Sequence, residues 1–279
     1  MSNATIPRRA VFCVSDHTGV TVEALARSIL ARFEDVDWVY LVRSFVDTDA
    51  KAATVAKEIV RIGGRLDDRP IVFTTLINKN LEKYVDSADA LVLNTFSAFL
   101  PALSEELGSL PSRDIGSFHG MSDSKGYQRR LDAVDFTLST DDGVNVHHYD
   151  RANVVVIGVS RCGKTPTCLY LAMHYGVWAA NYPLTEEDLV SPRLSSALAG
   201  HIDRLYGLTI DPVRLHQIRQ QRRPDSPYAS LDRCRSDVER AERLFKTIGM
   251  TPTDTTATSV EEISARIVKS MKLGDRPKV

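Results

Sequence analysis

Through its first 108 residues the chain alternates short apolar runs with amphipathic stretches, and few folds accommodate that rhythm. Val11 to Ser15 is followed by Thr21 to Phe33, Trp38 to Val46 by Ala50 to Ile62, and Ile71 to Thr75 by Asn78 to Val85. Ala88 to Asn94, then Ala98 to Leu107, continue the series. A strand that is apolar on both faces is buried on both, and the amphipathic stretches between such strands supply the covering helices. The pattern predicts an N-terminal βαβ region, residues 1-108, built on a parallel sheet.

The rhythm weakens over residues 109-150, where Pro111 and the polar run Ser117 to Ser124 read as a connecting region with one helix near Tyr127 to Phe136. It resumes in residues 151-279. Asn153 to Ile157 is a β-branched run ending at Gly158, and a helix is predicted to start near Gly163. Pro166 is tolerated there because a first-turn residue needs no backbone N–H. Val177 to Ala180 and Leu205 to Ile210 read as strands. Pro212 to Arg222, Leu231 to Ile248 and Val260 to Met271 read as helices. No internal sequence repeat is visible. The fold class is therefore α/β: a parallel-sheet region followed by a P-loop kinase-like α/β domain. A length of 279 residues allows one large unit or two intimate ones.

A net charge of -1, from 35 Lys and Arg against 36 Asp and Glu, gives no footprint for gripping a polyanion, so nucleic acid is not an expected partner. Cys13, Cys162, Cys168 and Cys234 form no CxxC pair and have no histidine at zinc spacing, which reads as reduced thiols. Met1 to Arg9 runs into too short an apolar core for a signal peptide, and no run of about 18 apolar residues follows. A cytoplasmic protein without a membrane partner is expected, with homo-oligomerisation left open.

Gly158-Val159-Ser160-Arg161-Cys162-Gly163-Lys164-Thr165 matches G-x-x-x-x-G-K-[ST] between a predicted strand and a predicted helix. The glycines let successive N–H groups and the helix N-terminus point at one anion. Lys164 neutralises that anion as the candidate catalytic cation, and the Thr165 hydroxyl suits Mg²⁺.

Such a loop usually works with an acidic residue at a neighbouring strand end. Asp211, closing Leu205 to Ile210, is one candidate for catalysis or metal binding, although Asp before Pro is also a good helix cap. Arg219 and Arg222, near Arg214 and Arg223, could clamp a phosphoryl group or line a solvated helix face. Ser15, Asp16, Thr18 and Gly19 follow the first strand, at the sheet edge where ligands bind, with an empty N-cap as the plain alternative. His119 and the pair Asp141-Asp142 are loop residues that could act as bases.

The loop and its continuation through Cys168 to Met173, then Ala179-Ala180-Asn181-Tyr182-Pro183-Leu184-Thr185 to Leu189, resemble the phosphoenolpyruvate synthetase regulatory proteins. Leu205 to Leu215, Ile218-Arg219 and Ser226 to Leu231 carry the same likeness, which runs from about Val11 to about Leu273. The family is similar in kind to the pyruvate, orthophosphate dikinase regulators. The resemblance implies an ADP-dependent serine/threonine kinase that phosphorylates a threonine of the synthetase and a phosphorylase that uses inorganic phosphate to remove it as pyrophosphate. ADP, phosphate and Mg²⁺ are the implied small molecules. His17 stands where the family's Ser-Asp-Gly-Thr-Gly has glycine, and Thr140 where synthetase-type members often have histidine, so the role of that histidine does not pass to position 140. A dikinase target, a P-loop small-molecule kinase and a non-catalytic nucleotide sensor are the alternatives.

Overall fold

The computed structural model describes residues 7–66, 68–111, 124–190 and 193–273. The chain divides into two compact units, Met1–Gly120 and Met121–Val279.

In the first unit β1 (Arg8–Val14), β2 (Asp37–Arg43), β3 (Ile71–Thr74) and β4 (Leu91–Asn94) form one parallel sheet in the order β2-β1-β3-β4. The register pairs Val14 with Thr74 and Thr74 with Asn94, so these strands end level. Helices α1 (Val20–Leu30), α2 (Asp49–Leu66), α3 (Lys79–Asp86) and α4 (Thr95–Leu107) follow the four strands in turn. Side-chain alternation along β1 separates two cores. Val11 and Cys13 pack with Val22, Ala26 and Leu30 of α1, whereas Phe12 and Val14 pack with Val55 and Ile59 of α2 and Leu81 and Val85 of α3. Both faces of the strand are covered, as its unbroken apolar run requires. Several boundaries differ from the expectation, two of them for a visible local reason. β2 stops at Arg43 because the chain turns at Phe45, whose φ is 56°. α4 begins at Thr95 because the Asn94 carboxamide accepts the N–H groups of Phe96 and Ser97.

The second unit repeats this architecture. β5 (Val154–Gly158), β6 (Ala179–Pro183), β7 (Leu205–Thr209) and β8 (Thr253–Asp254) are parallel in the order β6-β5-β7-β8. Around them lie α5 (Ser124–Ser139), α6 (Lys164–Tyr170), α7 (Glu186–Val190), α8 (Ser196–Ala199), α9 (Pro212–Arg222), α10 (Leu231–Thr247) and α11 (Val260–Ser270). On α10 a stripe of Cys234, Val238, Ala241, Leu244 and Phe245 is buried, the spacing of one helical face. The short β8, α7 and α8 have no periodic signal long enough to read in advance.

Residues from 124 to 150 belong physically to this second unit, although their sequence reads as a connection. Phe136 of α5 stacks on Trp178 at 4.9 Å between ring centroids, and the Thr137 hydroxyl donates to the Ala179 carbonyl at 2.8 Å. Tyr149 is fully buried and donates its hydroxyl to the Asn181 carbonyl at 3.0 Å. No helix among the described residues is long and apolar enough to cross a membrane.

Candidate active site

The loop from Gly158 to Thr165 leaves the central strand β5 and enters α6. Gly158 is forced by packing. A Cβ there would lie 2.6 Å from the Leu208 carbonyl oxygen and 2.8 Å from the Cys162 sulfur. Gly163 is needed for conformation, with φ at 94° and nothing within 4 Å of an added Cβ. Arg161 also has positive φ, at 75°.

Five carbonyl oxygens along this loop are paired within the protein. Gly158 O accepts from Leu184 N at 3.0 Å, Val159 O from Lys164 Nζ at 3.0 Å and Ser160 O from Arg219 Nη2 at 3.2 Å. Cys162 O accepts the Thr255 hydroxyl at 3.1 Å, and Gly163 O the Thr167 hydroxyl at 2.8 Å. With the carbonyls committed to the protein, the opposite side of the peptide chain presents donors. The N–H groups of Ser160, Arg161 and Gly163 take no partner among the described residues, and α6 starts without a side-chain cap. A ring of unpaired amides at a helix N-terminus is an anion cradle. Lys164, the first residue of α6, is only 4% exposed, and its side-chain nitrogen is tied to the loop through Val159 O.

The two cysteines of this region are not nucleophiles. Burial raises the thiol pKa of both Cys162 and Cys168, which keeps them protonated at neutral pH.

The acidic partner of the loop is Asp141. The Thr165 hydroxyl donates to Asp141 Oδ1 at 2.9 Å, and the Asn181 carboxamide nitrogen donates to the same oxygen. Asp141 opens the 3-10 turn Asp141–Gly143 at the end of α5, and the turn is bent by left-handed backbone at Asp142 (φ 51°) and Gly143 (φ 77°). Thr140 anchors its near end, fully buried with its hydroxyl donating to Phe136 O at 2.9 Å. Asp142 contributes its backbone rather than its side chain, donating N–H to Asn181 Oδ1 at 3.1 Å. A hydroxyl and a carboxylate side by side are the hard oxygen donors that Mg²⁺ takes.

The other expected residues fall elsewhere. Asp211 Oδ1 accepts the N–H groups of Val213 and Arg214, both at 2.9 Å, so it caps α9 with Pro212 in the first turn. Arg219 does reach the loop, but from the protein side. It is 1% exposed, bonds Asp237 Oδ2 at 2.9 Å, and lies 4.1 Å over the Tyr228 ring, while the Tyr228 hydroxyl donates to Ser160 Oγ at 2.8 Å. Arg222 is on the exposed face of α9. His119 lies outside the described residues.

Ser15 to Gly19 form the corresponding loop of the first unit, where neither Asp16 nor Thr18 caps α1; Gly19 holds that position at φ 79°. Asp16 is half-tied, with Oδ1 3.1 Å from His17 Nδ1 and Oδ2 enclosed without a hydrogen-bond partner.

Asn181, which hydrogen-bonds both Asp141 and Asp142, is the residue of this cluster that the sequence did not single out as a candidate. Its only signal is a carboxamide inside an otherwise apolar buried strand.

The kinase/pyrophosphorylase family model matches residues 11–268. Proteins from Ectopseudomonas mendocina and Stutzerimonas stutzeri are each 44% identical over 261 residues, 94% of this chain and 96% of theirs. A protein from Pseudomonas savastanoi is 41% identical over the same span. All three carry the name "Putative phosphoenolpyruvate synthase regulatory protein". With its glycines, lysine and threonine set in an anion cradle and the match covering nearly its whole length, the chain belongs to the kinase/pyrophosphorylase family.

Proposed function

We propose that this protein regulates a phosphoenolpyruvate synthetase in the cytoplasm, as an ADP-dependent serine/threonine kinase and a phosphate-dependent phosphorylase sharing one site. The observation that carries the reading is the Thr165 to Asp141 contact of 2.9 Å at the mouth of a complete phosphate loop. The names of the relatives supply the target.

In the kinase direction the β-phosphate of ADP sits against the free amides and Lys164. The target threonine oxygen attacks the β-phosphorus, the bond to the oxygen bridging the α- and β-phosphates breaks, and AMP departs. Asp141 Oδ2, which takes no hydrogen bond among the described residues, accepts the threonine proton. Thr165 Oγ1, kept in place by its hydrogen bond to Asp141, is the oxygen that would hold Mg²⁺, which when bound would neutralise charge on the phosphate oxygens. In the reverse direction inorganic phosphate occupies the same cradle, an oxygen of it attacks the phosphothreonine phosphorus, and Asp141 takes the proton of the attacking phosphate and passes it to the departing threonine oxygen. The product is pyrophosphate.

Label in the β-position of ADP should therefore appear on a threonine of the synthetase while AMP accumulates. Adding inorganic phosphate without nucleotide should then release the label as pyrophosphate. Transfer from the γ-position of ATP, or release only as orthophosphate, would leave an ordinary kinase. Asp141→Asn should reduce both directions about 10²-fold or more if the carboxylate handles the proton.

A further inference from the structure

Asn181 is buried completely in β6, following Ala179 and Ala180, a position where an apolar residue would pack at no desolvation cost. Its side chain does two things at once. Oδ1 accepts the backbone N–H of Asp142 at 3.1 Å, and Nδ2 donates to Asp141 Oδ1. The orientation of the carboxamide is fixed, because a backbone N–H can only donate; the nitrogen must therefore face the carboxylate. The strand gives this side chain a rigid base. Asn181 lies beside Val156 of β5, the strand that launches the phosphate loop, and its own carbonyl receives the buried Tyr149 hydroxyl.

Asp141 by contrast sits on a 3-10 turn with left-handed backbone at Asp142, Gly143 and Asn145, and nothing in regular secondary structure holds its carboxylate in place. Its Oδ1 receives two donors, Thr165 from the loop and Asn181 from the sheet. Two fixed donors on one oxygen define the plane of the carboxylate and leave Oδ2 as the oxygen with lone pairs to spend. Because one donor is bonded to Asp141 and the companion acceptor to the next residue's N–H, Asn181 sets both where the turn lies and how its carboxylate is rotated.

We propose that Asn181 is the positioning residue of the phosphotransfer site, clamping Asp141 against Thr165 so that one carboxylate oxygen is committed and the other is free for the reacting proton. The proposal rests on the role given above to Asp141. Asn181 touches neither substrate nor phosphate; it acts through Asp141.

The test is a double-mutant cycle read in the forward reaction with ADP and the purified synthetase. Asn181→Ala should lower kcat about 10- to 100-fold, the usual cost of removing a residue that orients a reactive group. The KM for ADP should stay within about 3-fold, since the amides and Lys164 that hold the diphosphate are untouched. In the Asp141→Asn background the same Asn181→Ala change should cost less than about 3-fold more, because the group it orients is gone. Asn181→Asp keeps the acceptor for the Asp142 N–H but sets a carboxylate against Asp141, and should lose kcat as Asn181→Ala does. Thermal melting and ADP binding accompany each variant. If Asn181→Ala does not fold, Asn181→Ser takes its place in the cycle. Fully additive losses in the cycle, or a kcat within 3-fold of wild type in the folded single variant, would overturn the clamp. Near-normal transfer by Asp141→Asn would instead remove the reading of Asp141 on which it stands, and the two failures are told apart by that single variant.

Discussion

The loop that leaves the first strand of each unit can be laid residue on residue: Val14 to Thr21 after β1, Gly158 to Thr165 after β5. Both sheets have the order second-first-third-fourth, both loops end on a left-handed glycine, Gly19 at φ 79° and Gly163 at φ 94°, and both following helices begin without a side-chain cap. Even the paired carbonyls recur, with Ser15 O, His17 O and Thr18 O accepting from Val46 N, Phe45 N and Ser44 Oγ. Of the six positions that differ, three bear on charge and close approach. Val14 stands where Gly158 does, Asp16 where Ser160 does, and Val20 where Lys164 does. Val20 is largely exposed and brings no charge, and Asp16 puts a carboxylate beside the free helix end. The backbone that makes an anion cradle is thus present twice, but only the second copy carries a cation, Lys164, to favour a phosphate there. The fold supplies the place, and a handful of side chains decide the sign of the charge it accepts.

The largest expected effect breaks the comparison most directly. Lys164→Ala and Thr165→Ala should each cost about 10²-fold or more in label transfer, since both contacts act on the moving phosphoryl group. Val20→Ala, the equivalent change in the first unit, should leave transfer within about 2-fold. Near-normal turnover in the Lys164 variant would mean that the second loop is no more a phosphate site than the first.

Glycine substitution separates packing from conformation. Gly158→Ala drives a methyl against the Leu208 backbone and should destabilise by about 1–3 kcal/mol while also weakening ADP binding, as read by melting and calorimetry. Gly19→Ala meets Ser44 Oγ at 3.1 Å and Val42 Cγ1 at 3.2 Å in a left-handed backbone. It should destabilise by about 1–2 kcal/mol and leave ADP affinity unchanged. A fall in ADP affinity there would give the first loop a nucleotide role.

Asp211 offers a smaller and sharper test. Asp211→Asn should preserve both melting temperature and transfer, because asparagine caps nearly as well, and Asp211→Ala should lose about 1 kcal/mol of stability. Loss of transfer by Asp211→Asn at unchanged stability would restore a catalytic carboxylate at the end of β7.

The smallest effect is electrostatic and confined to the first unit. Hydrogen bonds from Arg43 hold the Glu58 carboxyl below its ordinary pKa. A depressed carboxyl stabilises the fold above its unfolded pKa and loses that contribution as pH falls through the folded value. Acid unfolding followed by circular dichroism should accordingly show Glu58→Gln less stable than wild type at neutral pH, with the gap closing as pH drops below about 4. A pH-independent gap would assign the pair to packing alone.

Sequence alone determined much of this molecule, wherever the governing physics is local. β-branched runs such as Val154 to Ile157 become buried parallel strands, Asp211-Pro212 starts a helix, and the glycines of residues 158–165 turn a strand directly into a helix, because each outcome depends on residues within a few positions of one another. Tertiary structure alone decided the rest. The repeated strand order is invisible as a repeat because backbone geometry, not side-chain identity, is what the units share. The stretch 124–150 reads as a connection because its anchors, Trp178, Ala179 and Asn181, come later in the chain. From the sequence Asp211, at a strand end, is the better-placed acid, and Asp141 reads first as a loop residue. The sheet brings the second to Thr165 and leaves the first on a helix cap, since the reach of a carboxylate is a distance in space that no spacing along the chain encodes.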